Sequence, residues 1–190
     1  MNYKGLILSL VVLSTTACAP KPVNLIFTPP SVQGQSNLYQ GQNFAIKVND
    51  TRREKHLLKV IRGGSPEYHK AGTNIIEKLT GSLKQSYKNQ GLTVNDYAGN
   101  TISVDIIQLE TVVEQTLVDY SGVLSIELKV TVAHANQKKN IDEKVFTAHS
   151  TRDGYLKYDP ALLERDLNKL IAVALNDIYN DGFIQKAIKR

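Results

Sequence analysis

The sequence predicts an α+β fold, a two-layer sandwich whose mainly antiparallel sheet is covered on one face by two amphipathic helices. Three observations carry that prediction. Within Val123–Ala133, Leu124, Ile126, Leu128, Val130 and Val132 alternate with Ser125, Glu127, Lys129 and Thr131. One apolar and one polar face is the pattern of an antiparallel sheet packed on one side only. Two other segments, Thr73–Lys88 and Leu162–Tyr179, repeat apolar residues at three- and four-residue spacing, as helices with one buried face do. The order strand–strand–helix, several strands, helix then leaves two helices to cover one sheet face.

Taken in order, Val23–Thr28 reads as a strand stopped by Pro29-Pro30, and Ser31–Gln42 as a polar loop. Phe44–Val48 alternates and ends at Asn49-Asp50, a second strand. The basic stretch Thr51–Arg62 reads as a loop, and Gly63-Gly64-Ser65-Pro66 breaks the chain. In the first helix Ile75, Ile76, Leu79, Leu83 and Tyr87 share a face; Thr73 is the N-cap, with Asn74 the alternative. Gly81 inside it costs about 1 kcal/mol relative to alanine, and Gly91 lies just past its end.

Leu92-Thr93-Val94 is a short strand, and Thr101–Gln108 places Ile102, Val104 and Ile106 on one face. Gln108–Tyr120 reads as a strand or β-arm with a solvated edge. After Val123–Ala133, Asn136–Asn140 is a polar hairpin turn, Glu143–Thr151 returns, and Asp153-Gly154 closes the strand. Asp159-Pro160 opens the second helix with an N-cap aspartate and a first-turn proline. Gly182 interrupts it, and Phe183–Ile188 forms a final short turn followed by Lys189 and Arg190.

The N-terminus carries Lys4, the apolar run Leu6–Leu13, small residues Ser14–Ala17, and then Cys18, the only cysteine. The run is too short to span a bilayer, which takes about 20 apolar residues. A basic flank, a short apolar core and small residues at its end mark a processed export signal. Cleavage before Cys18 with acylation of its thiol fits a lipoprotein signal, although Thr15 stands where leucine is usual. Cleavage after Ala17 or Ala19 without acylation is the alternative; a lone cysteine placed just there favours acylation. The expected organisation is 1–17 signal peptide, 18–22 lipidated tether bearing Pro20 and Pro22, and 23–190 a single domain. Ala19, in place of the aspartate that retains lipoproteins in the inner membrane, favours the outer membrane with the domain facing the periplasm. With one cysteine no intrachain disulfide is available, so the core must hold the fold.

The net charge of +5 is mild, and export makes nucleic acid an unsuitable partner. Arg52, Arg53, Lys55, Lys59 and Arg62 stand against the single acid Glu54. They read either as a solvated loop or as a contact patch for a partner or an anion. The histidines His56, His69, His134 and His149 have no metal-ligand spacing, and no nucleophile elbow or phosphate-binding loop occurs. His134 and His149 flank one hairpin and are expected to pair across it. Glu110, Glu114 and Asp119 read as solubilising charges rather than as a carboxylate site. Tyr97, Tyr120, Tyr155 and Tyr158 lie near loops and strand ends, as contact surface or as partly buried rings. No catalytic residue, metal or cofactor is expected.

The chain resembles the YajG family of bacterial outer-membrane lipoproteins. The likeness runs through Thr15-Thr16-Ala17-Cys18-Ala19, Val23–Thr28, Phe44–Asp50 with arginines after it, Ile75–Tyr87 and Thr101–Gln108. It ends with Leu170–Asp181 and the terminal Phe183–Lys189. The resemblance implies envelope localisation and a non-enzymatic role, and it transfers no active-site residue. The expected function is an envelope interaction or assembly module, for instance an accessory subunit of a secretion apparatus, anchored through Cys18. A periplasmic carrier of lipid or small molecules is the alternative and requires an apolar cavity between helices and sheet.

Overall fold

The computed structural model describes residues 23–33, 36–136 and 141–190. The signal, the tether with Cys18, and Gln137–Asn140 of the predicted hairpin turn lie outside the described residues.

The sheet is assembled on β5 (Thr101–Gln115). On one side β5 pairs antiparallel with β6 (Asp119–Ala133), which pairs antiparallel with β7 (Ile141–Tyr155). On the other side two short strands share its edge end to end. β1 (Asn43–Asp50) runs parallel from Ala45 opposite Thr101 to Asp50 opposite Ile106. β2 (Leu58–Arg62) runs parallel beside Thr111–Gln115. β3 (Ser65–His69) turns back on β2, and β4 (Thr93–Val94) adds to β1 in parallel. The helices are α1 (Ile75–Asn89), α2 (Pro160–Asn180) and α3 (Gly182–Ile188).

The fold is α+β as expected, but the sheet is mixed and curled rather than a mainly antiparallel layer. A parallel pair needs a long crossover. The chain from β1 to β5 supplies one, with α1 inside it, and so brings β1 and β2 alongside β5 in the same direction. Among the described residues three helices, not two, line the core face.

Local differences have local causes. Val23–Thr28 is not a strand: only Leu25 bridges Ala71, and α2 holds the segment through side chains. Glu164 Oε2 accepts from the Ile26 N–H at 2.8 Å, and Asn168 Oδ1 accepts from the Thr28 N–H at 2.7 Å. The basic stretch is not all loop, because Leu58–Arg62 is β2. Gly63 and Gly64, with φ of 55° and 81°, make the tight turn to β3 rather than ending the sheet. Asn74, not Thr73, caps α1, accepting from the Glu77 N–H at 3.2 Å. Ile76 falls off the buried face and is exposed. Asp153 and Gly154 continue β7 opposite Ser121 and Tyr120 rather than closing it.

The predicted core holds elsewhere. Leu124, Ile126, Leu128, Val130 and Val132 are fully buried against Leu79 and Leu83 of α1 and Leu167, Ile171 and Ile178 of α2. A bulge between Ile106 and Gln108 switches the parity of β5, so Ile102, Val104 and Ile106 are followed on the core face by Leu109, Thr111 and Val113.

β5, β6 and β7 each have 15 residues, so the two ends of the sheet lie about 45 Å apart. Gln115, Asp119, Tyr155 and Arg62 mark one end; Thr101, Ala133 and Ile141 mark the other.

Candidate functional site

The break between β1 and β2 leaves residues 107–110 of β5 without a neighbouring strand on that edge. Arg52 fills it. Its side chain is buried, with Nη1 donating to the Leu109 carbonyl at 2.8 Å and to the His56 carbonyl at 3.2 Å. Nε and Nη2 fork onto the two Asp50 oxygens at 2.9 and 2.8 Å. The hydrogen bonds from Arg52 hold the Asp50 carboxyl down at about 2, against the burial that would raise it. Arg52 is therefore a structural plug, and neither a solvated loop residue nor a free contact group.

The other four predicted cations scatter. Lys55 sits on Asp50, donating to its backbone carbonyl at 2.7 Å. Arg62 pairs with Glu67 at 2.9 Å and lies over the Tyr158 ring. Lys59 lies over Tyr68, 5.9 Å from the ring centre. Arg53 is exposed on a cleft of about 290 Å³ that also holds Glu54, Glu110 and Glu127. Of the five cations, Arg52, Lys55 and Arg62 thus sit in ion pairs, while Lys59 lies on a tyrosine ring and Arg53 lines a cleft with three glutamates.

His134 and His149 do not face each other. His134 Nε2 lies 2.8 Å from the Ala187 carbonyl and its ring packs edge-on against Phe44. His149 stands opposite Ser125, with Nδ1 3.2 Å from the hydroxyl. His56 stacks on Tyr68 and approaches Glu110 at 3.5 Å. Ser125, placed on the polar face by its alternation, is buried beside His149. Glu110 belongs to the Arg52 cleft, whereas Glu114 and Asp119 line a separate cleft of about 420 Å³ with Asp153 and Tyr155. The three carboxylates therefore form no single site. Among the described residues no group of three or more His, Cys, Asp or Glu is placed to hold a metal ion.

The feature that sequence reading missed lies at the Gln115 end. Leu117 is 97% exposed, Val118 66%, Tyr155 90% and Leu156 70%. Two loops are tied there: the Leu156 N–H donates to the Val118 carbonyl at 2.7 Å, and Gln115 Nε2 donates to the Leu156 carbonyl at 3.3 Å. Leu156 holds a φ of +64°, a region that side chains disfavour. The signals in the sequence are Tyr155, read as contact surface or a partly buried ring, and an apolar pair inside Thr116–Asp119, too short to show a period. Of the four tyrosines near loops, Tyr97 and Tyr155 are exposed, while Tyr120 and Tyr158 are buried.

A sequence model of a family described as uncharacterized lipoprotein matches residues 29–189. The chain belongs to this YajG-type lipoprotein family. The lipoprotein shares its fold with a Xanthomonas campestris protein of the family DUF330, at 13% identity and a TM-score of 0.57. That match covers 84% of this chain and 95% of the other. A Helicobacter pylori protein described as a neuraminyllactose-binding hemagglutinin homolog matches at 10% identity and a TM-score of 0.48, over 88% of this chain and 97% of that one. No curated protein matches the lipoprotein in sequence. Among its described residues no helix is long and apolar enough to cross a membrane.

Proposed function

We propose that this lipoprotein is anchored to the outer membrane by acylated Cys18, faces the periplasm, and works as a non-enzymatic interaction module for an envelope protein. An accessory role in a large envelope complex, such as a secretion apparatus, fits that description. The observation that carries the reading is the open edge of β7. This strand has 15 residues and among the described residues pairs only with β6, so a partner's extended segment can add to it by backbone hydrogen bonding. Membership of a lipoprotein family supports the anchor. Against the carrier reading stands the interface of helices and sheet, which is filled by Leu83, Leu167, Ile171 and Ile178.

The test is photo-crosslinking in the native envelope from exposed β7 positions Val145 and Thr147, with gentle solubilisation and identification of the adducts. A reproducible envelope protein joined to β7 is expected. A monomer that carries bound lipid and yields no protein adduct overturns the module in favour of the carrier. Mass measurement of the mature N-terminus tests the anchor separately.

A further inference from the structure

The apolar end of the sheet lies where the anchored terminus enters the domain. Ile26 and Thr28 bind Glu164 and Asn168, so the entering segment runs in the same direction as α2, which starts just after Tyr155 and Leu156. The parallel bridge of Leu25 to Ala71 gives the same direction independently, because β3 also starts at this end, at Ser65. Following that register back sets Val23 level with His69, and hence with Leu58 and Thr111. From Thr111 to Leu117 is about 20 Å along an extended chain. The five residues Cys18–Pro22 reach up to about 17 Å. The opposite end of the sheet, at Thr101, is about 33 Å from Thr111 along the strand and beyond that reach.

We propose that Leu117, Val118, Tyr155 and Leu156 form a membrane-contact tip that seats in the interface of a lipid bilayer. This rests on the lipid anchor at Cys18. The apolar side chains supply the contact, and Tyr155 suits the boundary between acyl chains and headgroups. Charge does not choose the lipid: Arg62 and Lys157 stand near the tip with Asp119, Asp153 and Asp159, so contact is with a neutral interface rather than an anionic one. The backbone hydrogen bond from Leu156 to Val118 presents the two loops as one surface. Leu156 keeps a φ of +64° that glycine would hold without strain, and in return directs an apolar side chain outward.

The chain contains no tryptophan, so a single one reports alone. Full-length protein carrying Leu117→Trp is reconstituted into zwitterionic phosphatidylcholine vesicles with brominated acyl chains, and Tyr97→Trp serves as the control. Tyr97 is 96% exposed beside β4, at the opposite end. Flotation with the vesicles and the mass of the N-terminal peptide are read on the same samples. A blue shift and loss of emission in the Leu117→Trp chain, with neither in Tyr97→Trp, is expected. A chain that floats and is acylated but keeps unquenched Leu117→Trp emission overturns the tip and leaves the anchor standing. Equal quenching at both positions signifies adsorption without orientation and also overturns the tip. A blue shift without bromine quenching means that protein, not lipid, covers the surface. A chain that neither floats nor carries a lipid overturns the anchor, and the tip with it.

Discussion

Arg52 donates to the backbone carbonyl of Leu109 at 2.8 Å, occupying the place that a continuous edge strand would have taken. A side chain here does the work of a backbone ladder, because β1 and β2 are separated by an excursion of the chain from 51 to 57. Removing it leaves Asp50 with Lys55 as its one remaining cation and takes the Arg52 donor from the Leu109 and His56 carbonyls.

Arg52→Ala is therefore expected to destabilise the domain by about 3 kcal/mol, the usual cost of breaking a buried pair from one side. Arg52→Lys keeps the charge but not the fork, and should still lose about 1–2 kcal/mol. Arg53→Gln, one residue on and exposed, should change stability by no more than about 0.5 kcal/mol. Equilibrium urea unfolding of the three variants checks the order.

The acid limb of stability follows from Asp50. Its carboxyl lies at about 2 in the fold, against 3.8 ordinarily. A depressed carboxyl stabilises the fold at pH values above its unfolded value, and that stabilisation fades as the pH falls from about 4 to 2. The loss attributable to Asp50 is about 2 kcal/mol. Asp50→Asn should be less stable at neutral pH and should flatten this limb, which a set of unfolding curves between pH 2 and 7 would show.

Alkali acts on a different cluster. Tyr39, Tyr87 and Tyr179 pack ring to ring, and burial pushes Tyr39 and Tyr179 up to about 12 and raises Tyr87 as well. An unfolded tyrosine ionises near 10, so stability should be intact below that pH and fall as the pH rises from 10 to 12. Among the described residues the buried Tyr87 hydroxyl has no hydrogen-bond partner, so Tyr87→Phe should be neutral or stabilising by about 1 kcal/mol. Tyrosinate absorbance followed alongside circular dichroism separates ionisation from unfolding.

Gly154 is fixed by its cross-strand neighbour. A Cβ there would meet the Tyr120 ring at 2.5 Å. Gly154→Ala should cost about 1–3 kcal/mol by overpacking, and much less in a Tyr120→Ala background. Thermal melts of the double-mutant cycle decide whether the ring is the cause.

Leu156 makes the opposite case. Leu156→Gly should relieve its left-handed backbone and gain up to about 1 kcal/mol, less the extra freedom glycine has when unfolded. A loss of stability would mean that the exposed leucine is packed in solution, and chemical denaturation reads the sign directly.

The elements legible in the sequence were those whose partners are close in the chain. The alternation of β6 is visible because helices cover one of its faces, and α2 is announced by Asp159-Pro160. β2 was hidden because its alternation, Leu58-Lys59-Val60-Ile61-Arg62, is carried inside a run of cations that reads as solvated. The parallel register of β1 and β2 on β5 leaves no local mark, since both strands depend on residues more than forty positions away. The burial of Arg52 was illegible for the same reason: its acceptor, the Leu109 carbonyl, is left free by a bulge and a strand break that exist only in the assembled sheet. At the tip the signals were only Tyr155 and an adjacent pair of apolar residues between polar neighbours.

The dependence of β1 and β2 on β5 also orders events in time. A chain made from its N-terminus presents β1 long before residues 101–106 exist to receive it, and β2 long before residues 111–115. Nearest-neighbour pairing is available only to the small β2–β3 hairpin and to the meander of β5, β6 and β7. The first half of the newly made polypeptide thus stays pliable until the second half arrives. The fold is therefore closed by its second half, whose meander supplies the edge on which the earlier strands settle.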